Sequence, residues 1–359
     1  MKNILLFFLL SSFSALNACN AEEAADTYIY QGRVEKLASG RVILISAASS
    51  VRFSFTGSKC SISLQSKDSY DHHAYVSLEL DGKYLGRMRI ESILKDYPVA
   101  VPAGKSHTLT VYKATEATTG SILFNGATAN LIKTSVASKK KIEFIGDSIT
   151  SGMGNDATEI PCDTGMWFDQ HNAYLAYGPV SARALNADYM LSSVSGIGMY
   201  RNWNHEDPQE PIMPLVYGNL YLNMDASKLY SADFSPHITC IALGTNDFSD
   251  GDGVKKRLPF NEEKFVSNYI KFVQKIYSHS PDTQVVLINS PMVSGAKNDL
   301  FIKCLKQVQD AFKNSKKPIQ LFTYSAITPH GCGYHPDAAD HKLMASQLTP
   351  FLKKLLNEE

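Results

Sequence analysis

A serine, a glycine, an asparagine and a histidine stand at comparable places in four separate stretches of this sequence. Ser148, Gly196 and Asn246 each follow a short apolar run typical of a strand, and His335 precedes the last helical stretch. Open α/β sheets bind ligands beyond the carboxyl ends of their strands, so these four residues are expected to converge. On position alone Ser148 could equally be an ordinary turn serine. The prediction therefore depends on the whole set.

These residue types suit the hydrolysis of esters. A serine hydroxyl is a weak nucleophile until an imidazole removes its proton. The tetrahedral intermediate then needs preformed hydrogen-bond donors around its negatively charged oxygen. The backbone N–H groups of Ser148 and Gly196 and the side-chain amide of Asn246 could supply those donors. No spacing of His, Cys and Asp resembles a zinc site and no phosphate-binding glycine loop is present, so neither a metal nor a cofactor is expected.

Strand and helix patterns alternate through the second half of the chain. The clearest helical stretch covers residues 261–279, where Asn261 is placed to cap an amphipathic helix. Two more helices are expected at about 298–314 and 338–356. Strand-like runs occur at 142–146, 189–195, 238–243, 284–289 and 319–324. Such alternation predicts an α/β fold with a doubly wound parallel sheet covered on both faces.

The first half of the chain shows only strand patterns. Short alternating runs, several of them ending in glycine, predict an antiparallel β-sandwich or jelly roll at residues 27–135. The runs are RVILISA, VRFSFTG, SISLQS, AYVSLELDG, HTLTVYK and SILFNG. The segment LDGK is expected to form a hairpin turn.

The ordered motifs resemble a known family. GDSIT, a later glycine, GTND and a final HP follow the order found in SGNH (GDSL-type) hydrolases. Carbohydrate esterase family two is more similar still, on the segments KATEATTGSILFNG, SGIGMYRNW, PIMPLVYGN, GTNDFS and GCGYHPDAADH. The resemblance implies a jelly-roll domain at 27–135 followed by an SGNH hydrolase domain at 140–359.

The resemblance implies a particular reaction, the removal of acetyl groups from polysaccharides. That family removes acetyl groups from plant polysaccharides such as xylan and glucomannan, often from the primary 6-hydroxyl. By resemblance Ser148 is the nucleophile and His335 is general base and then general acid. Ser148, Gly196 and Asn246 are the oxyanion-hole residues. Two alternatives stay open: another SGNH activity such as a lipase or thioesterase, and a carbohydrate-binding protein with an inactive esterase site.

One departure from the SGNH pattern concerns the histidine. These hydrolases commonly carry an aspartate two or three residues before it, where this chain has Gly333 and Cys332. We therefore expect a Ser–His dyad whose imidazole is oriented by a main-chain carbonyl. Asp337 and Asp340 follow His335 and are better explained as residues at the start of the last helix.

The cysteines and the first residues indicate export. Residues 1–19 are expected to form a signal peptide, whose last four residues, Leu16, Asn17, Ala18 and Cys19, resemble a lipobox. A lipid anchor at Cys19 would make the protein a periplasmic or cell-surface lipoprotein of the outer membrane; ordinary cleavage is the alternative. Cys162 and Cys332 lie in loop-like stretches and are the best disulfide pair. Three further cysteines are expected to be buried thiols: Cys60, Cys240 and Cys304.

The net charge and two residues beyond the second predicted strand indicate which partners the protein binds. The 359 residues carry a net charge of zero, which argues against a nucleic-acid partner. Trp203 and Arg201 lie just beyond the second predicted strand and are assigned to substrate binding, with Trp203 offering its face to a sugar ring. The alternatives are a packed wall residue for Trp203, and a loop anchor or a carboxylate partner for Arg201.

Overall fold

The computed structural model describes residues 25–68, 71–207, 209–231 and 234–357. The predicted signal peptide and Cys19 lie outside these residues. No helix within the described ranges combines the length and the apolar character needed to cross a membrane.

Residues 25–135 form a β-domain built from antiparallel strands. The strands are β1 (Ala25–Asp26), β2 (Ile29–Gln31), β3 (Val34–Lys36), β4 (Val42–Leu44), β5 (Ser50–Lys67), β6 (Ala74–Leu80), β7 (Lys83–Ile90), β8 (Lys95–Ala100), β9 (His107–Lys113), β10 (Ser121–Ile132) and β11 (Thr134–Ser135). The main sheet has the order β3-β4-β10-β5-β9-β6-β7, while β2 and β8 also pair with β5. The predicted antiparallel β-rich domain is confirmed; its jelly-roll topology stays a prediction.

β5 is a single long strand where the sequence predicts two. Its first half pairs with β9 and its second half pairs with β8. Gly57 lies between the halves with a φ of +85°, a left-handed conformation that glycine adopts without strain. In the first half Val51, Phe53 and Phe55 are fully buried, since alternate side chains of a strand share one face. The glycine that resembles the end of a strand therefore lies inside one, where the partner of β5 changes from β9 to β8.

The hairpin between β6 and β7 forms as predicted. Asp81 and Gly82 connect the two strands with φ angles of 53° and 76°. Positive φ at both central residues is the requirement of the tight turn that joins twisted antiparallel strands.

Residues 141–357 form an α/β domain around a parallel sheet. Its strands are β12 (Lys141–Gly146), β13 (Asp188–Ser193), β14 (Ile238–Ala242), β15 (Gln284–Ile288) and β16 (Gln320–Phe322). Its helices are α1 (Ser148–Ser151), α2 (Tyr177–Ala184), α3 (Met213–Val216), α4 (Thr245–Phe248), α5 (Glu262–His279), α6 (Gly295–Ala311) and α7 (Ala338–Asn357). The strand order is β13-β12-β14-β15-β16, all parallel, with apolar clusters on both faces. The predicted α/β core is confirmed.

The amphipathic helix α5 forms where the apolar pattern of the sequence predicts it. The Asn261 side chain accepts a hydrogen bond from the Lys264 amide at 2.9 Å, which satisfies a free N–H of the first turn. Its apolar residues point into the core, fully or almost fully buried: Phe265, Tyr269, Phe272, Val273 and Ile276. The other predicted elements shift by a few residues at their ends.

The two domains share buried polar contacts. The fully buried guanidinium of Arg33, in the β-domain, donates to the Tyr217 carbonyl at 2.9 Å and to the Ser192 hydroxyl at 3.1 Å. Ser192 in turn donates to the carboxylate of buried Glu143, on β12, at 2.7 Å. The Ser192 hydroxyl therefore links the guanidinium of one domain to the carboxylate of the other.

Candidate active site

Ser148 lies at the carboxyl edge of the parallel sheet. It begins α1 directly after β12, and the Asp147 carboxylate caps this short helix by accepting from the Ile149 amide at 3.0 Å. Gly152 ends the helix with a φ of +77°, so the chain turns at once beside the serine. The Ser148 side chain is consequently held at the tip of a tight strand–helix turn.

His335 meets Ser148 at hydrogen-bonding distance. Its Nε2 lies 2.8 Å from the Ser148 Oγ, and its Nδ1 lies 2.7 Å from the Gly333 carbonyl oxygen. A carbonyl only accepts, so Nδ1 carries the hydrogen and Nε2 is left to accept the serine proton. The expected orientation by a main-chain carbonyl is confirmed by this contact.

The environment favours a neutral imidazole. Burial lowers the pKa of His335 below its ordinary value, and the hydrogen bond to the Gly333 carbonyl opposes this shift only in part. A neutral imidazole is the form that can accept a proton from Ser148.

A disulfide holds the histidine loop against the serine loop. Cys162 and Cys332 are bonded, as predicted, with their Cα atoms 5.1 Å apart. The Cys332 amide also donates to the Gly154 carbonyl at 2.9 Å. Gly154 has a φ of +65°, and a Cβ there would lie 2.5 Å from the Cys332 carbonyl oxygen. Only glycine permits this approach, which brings residues 331–335 to the nucleophile. Among the residues that the structure describes, the three other cysteines are buried free thiols, as expected: Cys60, Cys240 and Cys304.

The three predicted oxyanion-hole residues lie at the same sheet edge. Within the described part of the chain, the amides of Ser148 and Gly196 donate to no protein acceptor. The Asn246 side-chain nitrogen donates to the Ile197 carbonyl at 2.8 Å and, over a longer distance of 3.4 Å, to the Asp147 carboxylate. Two free backbone amides, and a side-chain amide whose long contact to Asp147 an oxyanion could replace, are the donors that an oxyanion requires.

Asp247 is a residue whose role the sequence did not reveal. Its fully buried carboxylate accepts from the amides of Met199, Tyr200 and Arg201 at 2.8–3.2 Å. Burial raises the pKa of this carboxyl to about 6, and the three amide hydrogen bonds oppose the shift. Asp247 thus fixes the loop that follows Gly196. A charged residue directly after a buried strand and beside Asn246 was the available signal.

The structure corrects the expectation for Arg201. Its guanidinium is buried and donates to the carbonyls of Asp247 and Leu258 and to the carboxylate of Glu206. Because protein acceptors occupy these nitrogens, Arg201 anchors loops instead of meeting substrate. Trp203 is different, since 48% of it is exposed, and its amide donates to the Gly196 carbonyl at 2.7 Å. A substrate contact for Trp203 stays a prediction.

A histidine and two aspartates cluster near the start of α7, and their hydrogen bonds to nearby backbone amides account for the cluster. His330, Asp337 and Asp340 bring possible ligand atoms within 4.8 Å of one another. The Asp340 carboxylate accepts from the amides of His330 and Asp337, and the Asp337 carboxylate accepts from the Asp340 amide. These contacts cap the helix, as expected for acids at its start.

Two family models match the chain along nearly its whole described length. Residues 30–136 match the carbohydrate esterase 2 N-terminal model. Residues 144–341 match the GDSL-like lipase/acylhydrolase family.

Individual relatives agree with the models. The chain is 31% identical over 266 residues to an acetylxylan esterase/glucomannan deacetylase of Cellvibrio japonicus, covering 72% of each protein. It is 29% identical over 324 residues to the cellulase/esterase CelE of Acetivibrio thermocellus, covering 86% of this chain and 37% of that protein. Its fold matches a family two carbohydrate esterase from Clostridium thermocellum in complex with cellohexaose. That match has a TM-score of 0.81 and 25% identity, over 92% of this chain and 99% of the other.

These matches cover both domains and the residues that meet at Ser148. The chain therefore belongs to carbohydrate esterase family two, within the GDSL-like lipase/acylhydrolase family, and is a carboxylic ester hydrolase.

Proposed function

We propose that this carbohydrate esterase removes O-acetyl groups from plant polysaccharides, acetylated xylan or glucomannan, with the primary 6-hydroxyl as the preferred position. Ser148 and His335 act as its catalytic dyad. The observation that carries the proposal is the 2.8 Å contact between the His335 Nε2 and the Ser148 Oγ, with the Nδ1 already held by a carbonyl. The names of the relatives favour acetylated polysaccharides over lipids or thioesters.

The geometry supports a two-step acyl transfer. The Ser148 Oγ attacks the carbonyl carbon of the acetyl group while His335 accepts the proton of the Ser148 hydroxyl. The negative carbonyl oxygen is met by the amides of Ser148 and Gly196 and by the Asn246 side chain. The intermediate expels the sugar oxygen, which takes the proton from His335. Water then attacks the acetyl-enzyme while His335 accepts its proton. The second intermediate expels the Ser148 oxygen, which takes that proton back from His335, and acetate is released.

The test is acetate release from acetylated glucomannan and acetylated xylan by wild type, S148A and H335A. Each substitution should remove nearly all activity while the thermal melt stays near wild type. Nitrophenyl acetate and nitrophenyl palmitate separate an acetylesterase from a lipase, because only the former should prefer the short acyl group. A folded S148A variant that keeps a substantial fraction of the rate would contradict the assignment of the nucleophile.

The second candidate is polysaccharide binding without hydrolysis. It is favoured by one observation, that the related Clostridium thermocellum esterase was solved with cellohexaose bound. The exposed ring of Trp203, joined through its amide to Gly196, would offer a sugar-stacking face at the site. Calorimetry with cellohexaose distinguishes the two: binding by a wild-type protein that releases no acetate would replace the enzymatic proposal.

We further propose that the protein is exported and anchored by a lipid on Cys19. The lipobox-like segment supports this, and so does the disulfide, since disulfides persist in oxidising compartments. The full chain expressed in a Gram-negative host should incorporate labelled palmitate and fractionate with the outer membrane, whereas C19S should do neither. Equal labelling of both proteins would contradict the anchor.

A further inference from the structure

Glu116 of the β-domain reaches the loop that carries a proposed oxyanion donor. Its side chain is fully buried, and its Oε2 accepts from the Ser195 amide at 2.9 Å and from the Ser195 hydroxyl at 2.8 Å. Ser195 directly precedes Gly196, whose amide is free for the oxyanion. One carboxylate from the other domain thus binds the residue next to that amide through two donors.

The turn that presents Glu116 is itself fixed. The buried ammonium of Lys113 donates to the Glu116 carbonyl at 2.6 Å and to the Thr115 carbonyl at 3.0 Å. The Thr118 hydroxyl donates to the other oxygen of the Glu116 carboxylate. The carboxylate therefore has donors on both oxygens and cannot rotate away from Ser195 without losing them.

The far side of the same loop is bound as well. The Gly196 carbonyl accepts the Trp203 amide at 2.7 Å, and Gly196 has a φ of +75°. Glycine alone imposes no φ or ψ, so neighbouring contacts must define the direction of its N–H. After Gly196 that contact is the Trp203 amide, which donates to the Gly196 carbonyl. Before Gly196 it is the Glu116 carboxylate, which accepts from Ser195.

We propose that Glu116 is a positioning residue for the esterase reaction: its carboxylate, presented by a turn that Lys113 holds, directs the Gly196 N–H toward the oxyanion. This inference rests on the proposed function, because the Gly196 amide matters only if an oxyanion forms there. It gives the β-domain an indirect part in catalysis, exerted through Ser195 and Gly196.

The variants are E116A, E116Q and a matched control, E79A. E116A removes the acceptor of both Ser195 donors, so kcat for nitrophenyl acetate should fall by roughly 10- to 100-fold with little change in KM, the scale of a misdirected catalytic group. E116Q keeps an acceptor oxygen and should recover most of kcat. Glu79 is also a β-domain carboxylate bound to the α/β domain, accepting the Tyr174 hydroxyl at 2.7 Å. It lines a cleft beside Asp188, at the opposite end of β13 from Ser195, so E79A should keep the wild-type kcat.

A boronic acid that forms a tetrahedral adduct with Ser148 provides the second readout, since it needs the same donors. Its inhibition constant should rise in E116A in parallel with the loss of kcat and stay unchanged in E79A. A folded E116A with wild-type kcat and inhibition overturns the inference. Should E116A fail to fold, E116D decides: its shorter side chain should lower kcat in a folded protein, and full activity overturns the inference.

The two failures are distinguishable. A wild-type protein without esterase activity overturns the proposed function and this inference with it. An active wild type whose E116A variant is equally active overturns this inference alone.

Discussion

His335 is oriented by a carbonyl two residues before it, where related hydrolases commonly use a carboxylate. In a serine protease, replacing that carboxylate by an amide lowers kcat by about 10⁴, because the imidazole is left in the wrong tautomer. The Gly333 carbonyl avoids this loss, since it can only accept and so keeps the hydrogen on Nδ1. What it does not supply is a negative charge to stabilise the imidazolium.

The absence of a carboxylate beside His335 should be visible in the pH dependence of activity. Burial lowers the pKa of His335, and only its neutral form accepts the Ser148 proton. Activity is therefore lost only as the pH falls through this lowered pKa, and the acid limb of kcat/KM should lie below the ordinary histidine value of about 6.5. A pH profile with nitrophenyl acetate measures it. An acid limb above pH 7 would indicate a carboxylate partner.

The sequence predicted some site residues and missed others for a physical reason. Ser148, Gly196 and Asn246 were predictable because each follows a strand, and parallel strands end at one edge. Asp247 and Arg201 follow strands too, yet both are buried and serve loops. Whether a side chain at a strand end points toward the substrate or into the protein depends on the neighbouring loops. Those loops are distant in sequence, so no local pattern predicts the direction.

At the scale of elements, the loop at 331–335 is shaped mainly by its attachments. It is fixed by the disulfide and by the hydrogen bond from Cys332 to Gly154. The α/β elements were predictable because buried strands and amphipathic helices have strong periodic signals. β5 was not, because its Gly57 lies within a strand but resembles a turn residue in the sequence.

Removing the disulfide should affect both stability and the site. Cys162 and Cys332 are 170 residues apart, for which the chain-entropy model gives about 5 kcal/mol, with measured values often lower. We expect the C162S/C332S variant to melt at a lower temperature and, where it is still folded, to show a lower kcat because the His335 loop loses its attachment. C60A keeps the disulfide and serves as the control. An unchanged melt and kcat would contradict this role.

At the scale of the whole molecule, buried charge joins the two domains. Arg33 and Glu143 lie in different domains, and each is buried. Burial raises the pKa of Glu143, and the nearby Arg33 opposes that shift. Nothing in the local sequence around either residue predicts this pairing, because it exists only after the domains meet.

Replacing Arg33 should be costly. R33M leaves Glu143 buried without the nearby cation and leaves the buried acceptors of Arg33 without a donor, which should lower the free energy of unfolding by about 1–3 kcal/mol. Losing the cation raises the folded-state pKa of Glu143 further above its unfolded value, so the loss should be smaller at pH 5 than at pH 8. Denaturant unfolding at both pH values measures it. R89M is the control, since Arg89 is largely exposed and should change stability by less than about 0.5 kcal/mol. Equal stability of R33M and R89M would contradict the pairing.

The buried Arg33 has a consequence for how such a chain can change over generations. A recombination that joined this hydrolase sheet to a different amino-terminal module would enclose Glu143 with no guanidinium beside it. Such a hybrid would be less stable than the parent, because a buried carboxylate without a compensating cation is costly. We therefore expect the two modules to be inherited together.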